Sequence, residues 1–170
     1  EKLPLDVEAK QSDTITLSNT LHHLRDKPAV LNELKRLIKR DGQIIITEMI
    51  SNDLTEAEQT YCRFHSLRAE VDRLKGVFHE TTYTSHEILE MVSDAGLGIV
   101  SKEILLNGKE AAPDKTEATE IEAIIDDMTR AESERPEFLA LEESARDIKA
   151  HLQKYGIKRP RQLYLETTII

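Results

Sequence analysis

Two periods of hydrophobicity alternate along the first fifty residues. From Lys27 to Lys39 the apolar residues Val30, Leu31, Leu34, Leu37 and Ile38 recur at spacings of three and four, which places them on one face of a helix. Asp26 stands where a cap is needed, and Pro28 is tolerated in the first turn. Before it, Thr14-Ile15-Thr16-Leu17 is a short β-rich run closed by the turn-favouring Ser18-Asn19. After it the helix is expected to give way at Asp41-Gly42, and Gln43 to Thr47 carries a continuous Ile run that predicts a strand buried on both faces, as in a parallel sheet. Strand, helix and strand at this spacing make a βαβ unit. Its crossover is expected to be right-handed, with the working edge at the strand C-termini near Ser18-Asn19 and Glu48-Met49.

Beyond this unit, Thr55 to about Lys75 reads as a highly charged helix opened by a Thr55 to Glu58 capping box. Ser85 to Ala95 reads as another, with Ser85 as cap, Ile88, Leu89 and Val92 as its apolar face and Gly96 as its stop. Ile99 to Leu106 is a strand that ends in a turn at Asn107-Gly108, and residues 108–116, with Pro113, form a loop. A helical pair follows. Its stripes are Ile121, Ile124, Ile125 and Met128, then Phe138, Leu141, Ala145, Ile148, Leu152 and Tyr155 after Pro136. The second stripe has near-heptad spacing, but burial against the chain's own sheet is the commoner outcome. Gln162 to Ile170 closes the chain as a long strand, most simply paired with the Ile99 to Leu106 strand.

Composition narrows the function classes. An apolar fraction of 39% and a charged fraction of 32% over 170 residues fit a folded chain with a sizeable core. A formal net charge of −9 argues against nucleic acid as a partner, because phosphate neutralisation needs a concentrated basic surface. The local basic clusters, Lys35, Arg36, Lys39 and Arg40 and then Lys154, Lys158, Arg159 and Arg161, read as solvated faces or helix C-terminal charges. The single cysteine, Cys62, rules out an intrachain disulfide framework and fits a reducing compartment. No apolar run has membrane-spanning length and there is no signal-peptide pattern, so no membrane partner and a cytoplasmic location are expected.

Two stretches carry a resemblance. Ser12-Asp13-Thr14-Ile15-Thr16-Leu17-Ser18-Asn19-Thr20-Leu21-His22-His23-Leu24 and Leu31-Asn32-Glu33-Leu34-Lys35-Arg36-Leu37-Ile38-Lys39-Arg40-Asp41-Gly42-Gln43-Ile44-Ile45-Ile46-Thr47-Glu48 resemble the ubiquinone/menaquinone-biosynthesis-like branch (methyltransferase type 11) of class I S-adenosylmethionine-dependent methyltransferases. Glu1-Lys2-Leu3-Pro4-Leu5 looks like the segment that follows that family's third strand. The resemblance implies an α/β fold: a partial Rossmann-like methyltransferase sheet made of the family's strands four to seven, the last antiparallel, with a helical insertion. Residues 1–106 would be the C-terminal half of the methyltransferase core, 107–159 the insertion, and 160–170 the final antiparallel strand. Strands one to three, with the glycine-rich loop and the acidic ribose-binding residue, have no counterpart. The one Gly-x-Gly, Gly96-Leu97-Gly98, follows the wrong helix and reads as a helix stop. The chain alone is therefore expected to bind the cofactor, S-adenosylmethionine, weakly or not at all.

The same resemblance assigns candidate residues. Ser18 and Asn19, on the loop after strand four, are expected beside the methionine part of the cofactor. His23 is the candidate catalytic residue, able to orient or deprotonate a hydroxyl or acidic carbon of the acceptor. His22, Glu48 and Arg68 are candidate contacts for a small-molecule acceptor, although Glu48 reads equally as a partly exposed surface carboxylate and Arg68 as part of a solvated helix face. His79-Glu80 and His86 beside His65 have the residue types of a metal site but not the short regular spacing of a structural zinc site, so no metal is expected. The expected function is methyl transfer to a small molecule by in-line displacement, a reaction in which positioning carries much of the catalysis. The alternative is a non-catalytic interaction or dimerisation module derived from the same fold. In either case the strand at Thr14 would leave an exposed sheet edge, to be covered by a homodimer partner or by a missing N-terminal segment.

Overall fold

The computed structural model describes residues 2–106, 115–131, 134 and 136–170. Its elements are β1 (Ser12–Ser18), a 3-10 turn (Leu21–His23), α1 (Lys27–Leu37), β2 (Ile38–Met49), α2 (Glu56–Leu74), α3 (Ser85–Asp94), β3 (Leu97–Leu105), α4 (Lys115–Ala131), α5 (Phe138–Tyr155) and β4 (Gln162–Ile169). The mixed α/β fold holds one open sheet of order β1-β2-β4-β3, in which β1 runs parallel to β2 and β4 runs antiparallel to both of its neighbours. The closing strand thus pairs with the Leu97–Leu105 strand as expected, and with β2 on its other side. The expected turn at Asn107-Gly108 and nearly all of the loop with Pro113 lie outside the described residues.

Element boundaries differ from the sequence reading at the α1–β2 junction, at the cap of α3 and at the start of β3, which is Leu97 rather than Ile99. α1 ends at Leu37 because Ile38 turns to extended backbone, with φ −71° and ψ 141°. The incoming chain takes up its last carbonyls: Lys10 N–H donates to Arg36 O and Gln11 N–H to Leu37 O, both at 3.0 Å. β2 therefore starts at Ile38, and Asp41-Gly42 lies inside it. The register against β1 jumps from Ser12↔Ile38 to Thr14↔Gln43, so β2 bulges there. Gly42 fits this bulge because a Cβ would come within 2.8 Å of the Asp13 carbonyl oxygen. The cap of α3 is Thr84 rather than Ser85, since it is Thr84 that stands three residues before Glu87 and completes a capping box with it.

The described chain forms two compact units. The sheet unit comprises residues 1–52, 83–105 and 162–170. Its core brings together Leu21, Leu31 and Leu34 with Ile44 and Ile46 of β2, Ile88 and Val92 of α3, and Leu163 and Leu165 of β4. Ile44 and Ile46 are fully buried, whereas Ile45 between them is half-buried, so within this chain only one face of β2 is fully covered. That differs from the expectation of burial on both faces.

The helical unit comprises residues 53–82 and 106–161. α2 groups here with α4 and α5, because Phe64, Leu67 and Val71 of α2 share one cluster with Ile125 of α4 and Leu141, Ala145 and Ile148 of α5. At Leu141, Ala145 and Ile148 the stripe of α5 is thus covered by helices of its own unit. In α4 the stripe is narrower than its sequence suggests: Ile125 is buried, while Ile124 is exposed. No helix among the described residues is long and apolar enough to cross a membrane.

Candidate functional site

At the C-terminal ends of the parallel strands β1 and β2 the chain builds a rim from short-range geometry. Asn19 leaves β1 with a positive φ of 46°, a conformation that Asn tolerates better than most residues. Its N–H donates to Thr47 O at 2.8 Å. Its Oδ1 accepts from Met49 N–H at 3.2 Å and from Gln162 Nε2 at 3.3 Å. One side chain thereby ties the exit of β1 to the end of β2 and the start of β4. Ser18 beside it is exposed, its hydroxyl accepting from Thr47 Oγ1 at 2.9 Å and its carbonyl from Thr20 Oγ1 at 2.7 Å.

Beneath this rim lies a buried polar layer. Glu48 has no solvent exposure. Its Oε2 accepts from Leu21 N–H at 2.8 Å, and its Oε1 lies 2.9 Å from His22 Nδ1. His22 is itself only 2% exposed. A carboxylate without water must find its partners inside the protein, and here it holds the first residues of the 3-10 turn in place. The carboxylate can only accept, so in this pair His22 donates from Nδ1. His23, next in the turn, is exposed, and its ring lies 4.3 Å from that of His22 at 45°.

The structure therefore brings Ser18, Asn19, His22, His23 and Glu48 onto one rim. It corrects the reading of Glu48 as an exposed carboxylate, because both its oxygens face the chain. Arg68 belongs to the helical unit, where it is exposed on α2. Sequence reasoning missed Thr47 and Gln162. Gln162 had no signal to give, since only the β2–β4 register brings it to Asn19.

Among the described residues the rim is not by itself a complete cofactor site. Asn19 Oδ1 is already committed to Met49 and Gln162, and Gly96-Leu97-Gly98 is the expected helix stop, Gly96 having a positive φ of 68° directly after α3. Among the described residues there is no glycine-rich loop following a parallel strand at this rim.

Comparisons with known proteins bear on the same conclusion. A family model described as a methyltransferase domain matches residues 4–102, more than half of the chain. The fold is similar to that of a cyclopropane-fatty-acyl-phospholipid synthase-like protein from Lactobacillus casei (10% identity, TM-score 0.63), covering 94% of this chain and 57% of that one. It is also similar to the YcgJ protein of Bacillus subtilis (14%, TM-score 0.54; 98% of this chain and 67% of that one). A third similar structure is an S-adenosylmethionine-dependent methyltransferase from Methanosarcina mazei (10%, TM-score 0.52; 98% and 63%). The chain thus spans about three fifths to two thirds of the length of these proteins. No curated protein matches it in sequence. With the family model, the strand order and the parallel β1–α1–β2 unit in agreement, the chain belongs to the methyltransferase domain family.

Proposed function

We propose that the chain is the C-terminal half of an S-adenosylmethionine-dependent methyltransferase that acts on a small-molecule acceptor. The observation that carries this reading is the rim after β1. A rigid layer, Glu48 with Leu21 N–H and His22, sits under an exposed hydroxyl, Ser18, and an exposed imidazole, His23. The cofactor supplies an already activated methyl group, so the protein's share is to position the acceptor and exclude water. In this reading Ser18 and Asn19 line the methionine side, and His23 orients or deprotonates the acceptor. His22 and Glu48 act as positioning residues that fix the turn. The glycine-rich half would pair with β1, which lies at the edge of the described sheet with β2 as its neighbour. A homodimer partner is the other way to cover that edge.

The test pairs intact mass measurement with calorimetric titration of S-adenosylhomocysteine. The 19.4 kDa chain alone is expected to bind weakly or not at all. A protein longer by about 10 kDa or more, the size of the absent half on the usual domain scale, is expected to bind. In that longer protein His23→Ala should lower turnover about 100-fold or more with little change in S-adenosylhomocysteine affinity. Tight binding by the short chain would overturn the half-domain reading, and unchanged turnover in the variant would overturn the role of His23.

A further inference from the structure

The helical unit holds a second cluster of chemistry-bearing groups. His65 and Asp72 lie seven residues apart on α2, about two turns, and so on the same face. The helix then stops at Lys75, and Gly76, with a positive φ of 79°, turns the chain back. The returning segment brings His79 against the same face. Arg73 Nη1 donates to His79 O at 2.8 Å and pins that backbone. The three side chains then meet: His79 Nδ1 is 2.7 Å from Asp72 Oδ2, and His79 Nε2 is 3.2 Å from His65 Nε2. The two rings stand at 85° to each other. Both imidazoles are nearly removed from solvent, at 9% and 2% exposure.

We propose that His65 and His79 bind one divalent transition-metal ion of the zinc class, with Asp72 as the carboxylate behind His79. The carboxylate accepts from Nδ1, which fixes the His79 tautomer and leaves the Nε2 lone pair pointing at His65. Two nitrogens bound to one tetrahedral zinc at roughly 2.0–2.1 Å lie about 3.3 Å apart, which the 3.2 Å separation of the two Nε2 atoms matches. Carboxylate, histidine and metal in a row is the arrangement that orients a ligating imidazole and raises its basicity. Imidazole nitrogens suit zinc and its neighbours rather than magnesium or calcium. Water or a donor atom of a small molecule would complete the coordination. The sequence argued against a metal because fourteen positions separate His65 from His79; the fold removes that objection. This inference does not depend on the methyltransferase reading.

The competing explanation for 3.2 Å is a plain hydrogen bond from one imidazole to the other, and a metal titration separates the two. The full chain is stripped with chelator, then titrated with Co2+ while visible absorption is followed, and the bound ion is displaced with Zn2+. The expected result is one equivalent of Co2+, displaced by one equivalent of Zn2+. His65→Gln and His79→Gln should abolish the signal, and Asp72→Asn should weaken affinity about 10–100-fold. His86→Gln, whose side chain is 79% exposed, should change nothing. Far-UV circular dichroism on each variant checks folding; where a histidine variant unfolds, the isosteric Asp72→Asn decides. Absence of stoichiometric Co2+ binding, or binding unaltered in folded His79→Gln or Asp72→Asn, would overturn the proposal.

Discussion

Glu48 in the sheet unit and Glu58 in the helical unit are both buried, and the two are satisfied in opposite ways. Glu48, at the end of β2, is fully buried and reaches 27 residues back to Leu21 N–H and 26 back to His22. Glu58, in the first turn of α2, is also buried, but its first partners are local: Thr55 N–H and Thr55 Oγ1, both at 2.9 Å. Only its remaining contacts are distant, Arg161 N–H and Nη2, each at 3.2 Å. Burial alone would raise the pKa of Glu58. The Thr55 N–H, the Arg161 guanidinium and the Thr55 hydroxyl outweigh it and hold the carboxyl below its ordinary range. The same residue type thus closes a helix end in one unit and joins separate segments of a sheet in the other. What distinguishes them is how far along the chain the partner lies.

The comparison breaks most readily at Glu48. Glu48→Ala leaves Leu21 N–H and the His22 ring without their partner in a site that excludes water. The expected loss is about 3 kcal/mol, read as a fall in the urea midpoint at unchanged slope. A loss below about 1 kcal/mol would mean that water replaces the carboxylate, and that Glu48 does not hold the turn.

Glu58→Ala is expected to cost less, about 1–2 kcal/mol. It removes the reciprocal half of a helix cap, worth about 1 kcal/mol, and a contact with Arg161, whose side chain is 25% exposed and partly solvated. Glu58→Gln keeps an acceptor for Thr55 N–H and should recover roughly half of that. The contrast fails if the two alanine variants lose equal stability.

The same distinction explains what could be read from the sequence. The Thr55-Glu58 box and the stop at Gly96 lie within one turn of the backbone they serve, and both were legible. Thr84 was legible too: the three-residue step to Glu87 marks it as the cap, and the reading of Ser85 overlooked that step. Gly42 was misread as a helix end because its reason for being glycine, the Asp13 carbonyl 2.8 Å from its would-be Cβ, belongs to another strand. The burial of Glu48, the link from Gln162 to Asn19 and the meeting of His65 with His79 have the same character. The βαβ unit, the pairing of the last two strands and the rim at Ser18-Asn19 were visible, the first because periodicity is local. The polar partners that make the rim rigid were not, because pairing across a sheet or beyond a helix stop leaves no mark at fixed spacing.

A third glutamate lies between these cases and has the smallest expected effect. Glu33 on α1 is paired with Arg36 three residues on, at 2.7 Å to Nη2 and 2.9 Å to Nε, and it also accepts from Leu5 N–H at 2.8 Å across 28 residues. The Arg36 hydrogen bonds lower its pKa from 4.5 to about 2; burial opposes them and the Leu5 N–H assists. Because the folded-state value is depressed, the carboxylate's contribution is complete above its unfolded pKa near 4.5 and is lost as pH falls from there towards 2. Arg36 is a third exposed, so solvent screens the pair and little change is expected at neutral pH. Urea midpoints taken from pH 7 down to pH 2 for the native chain and for Glu33→Gln should therefore nearly coincide at the upper end. Below about pH 4.5 they should converge further, the native chain losing its advantage and the variant showing the shallower acid slope. Parallel slopes through that window would mean that Leu5 and Arg36 are held by the chain around them and not by the charge on Glu33.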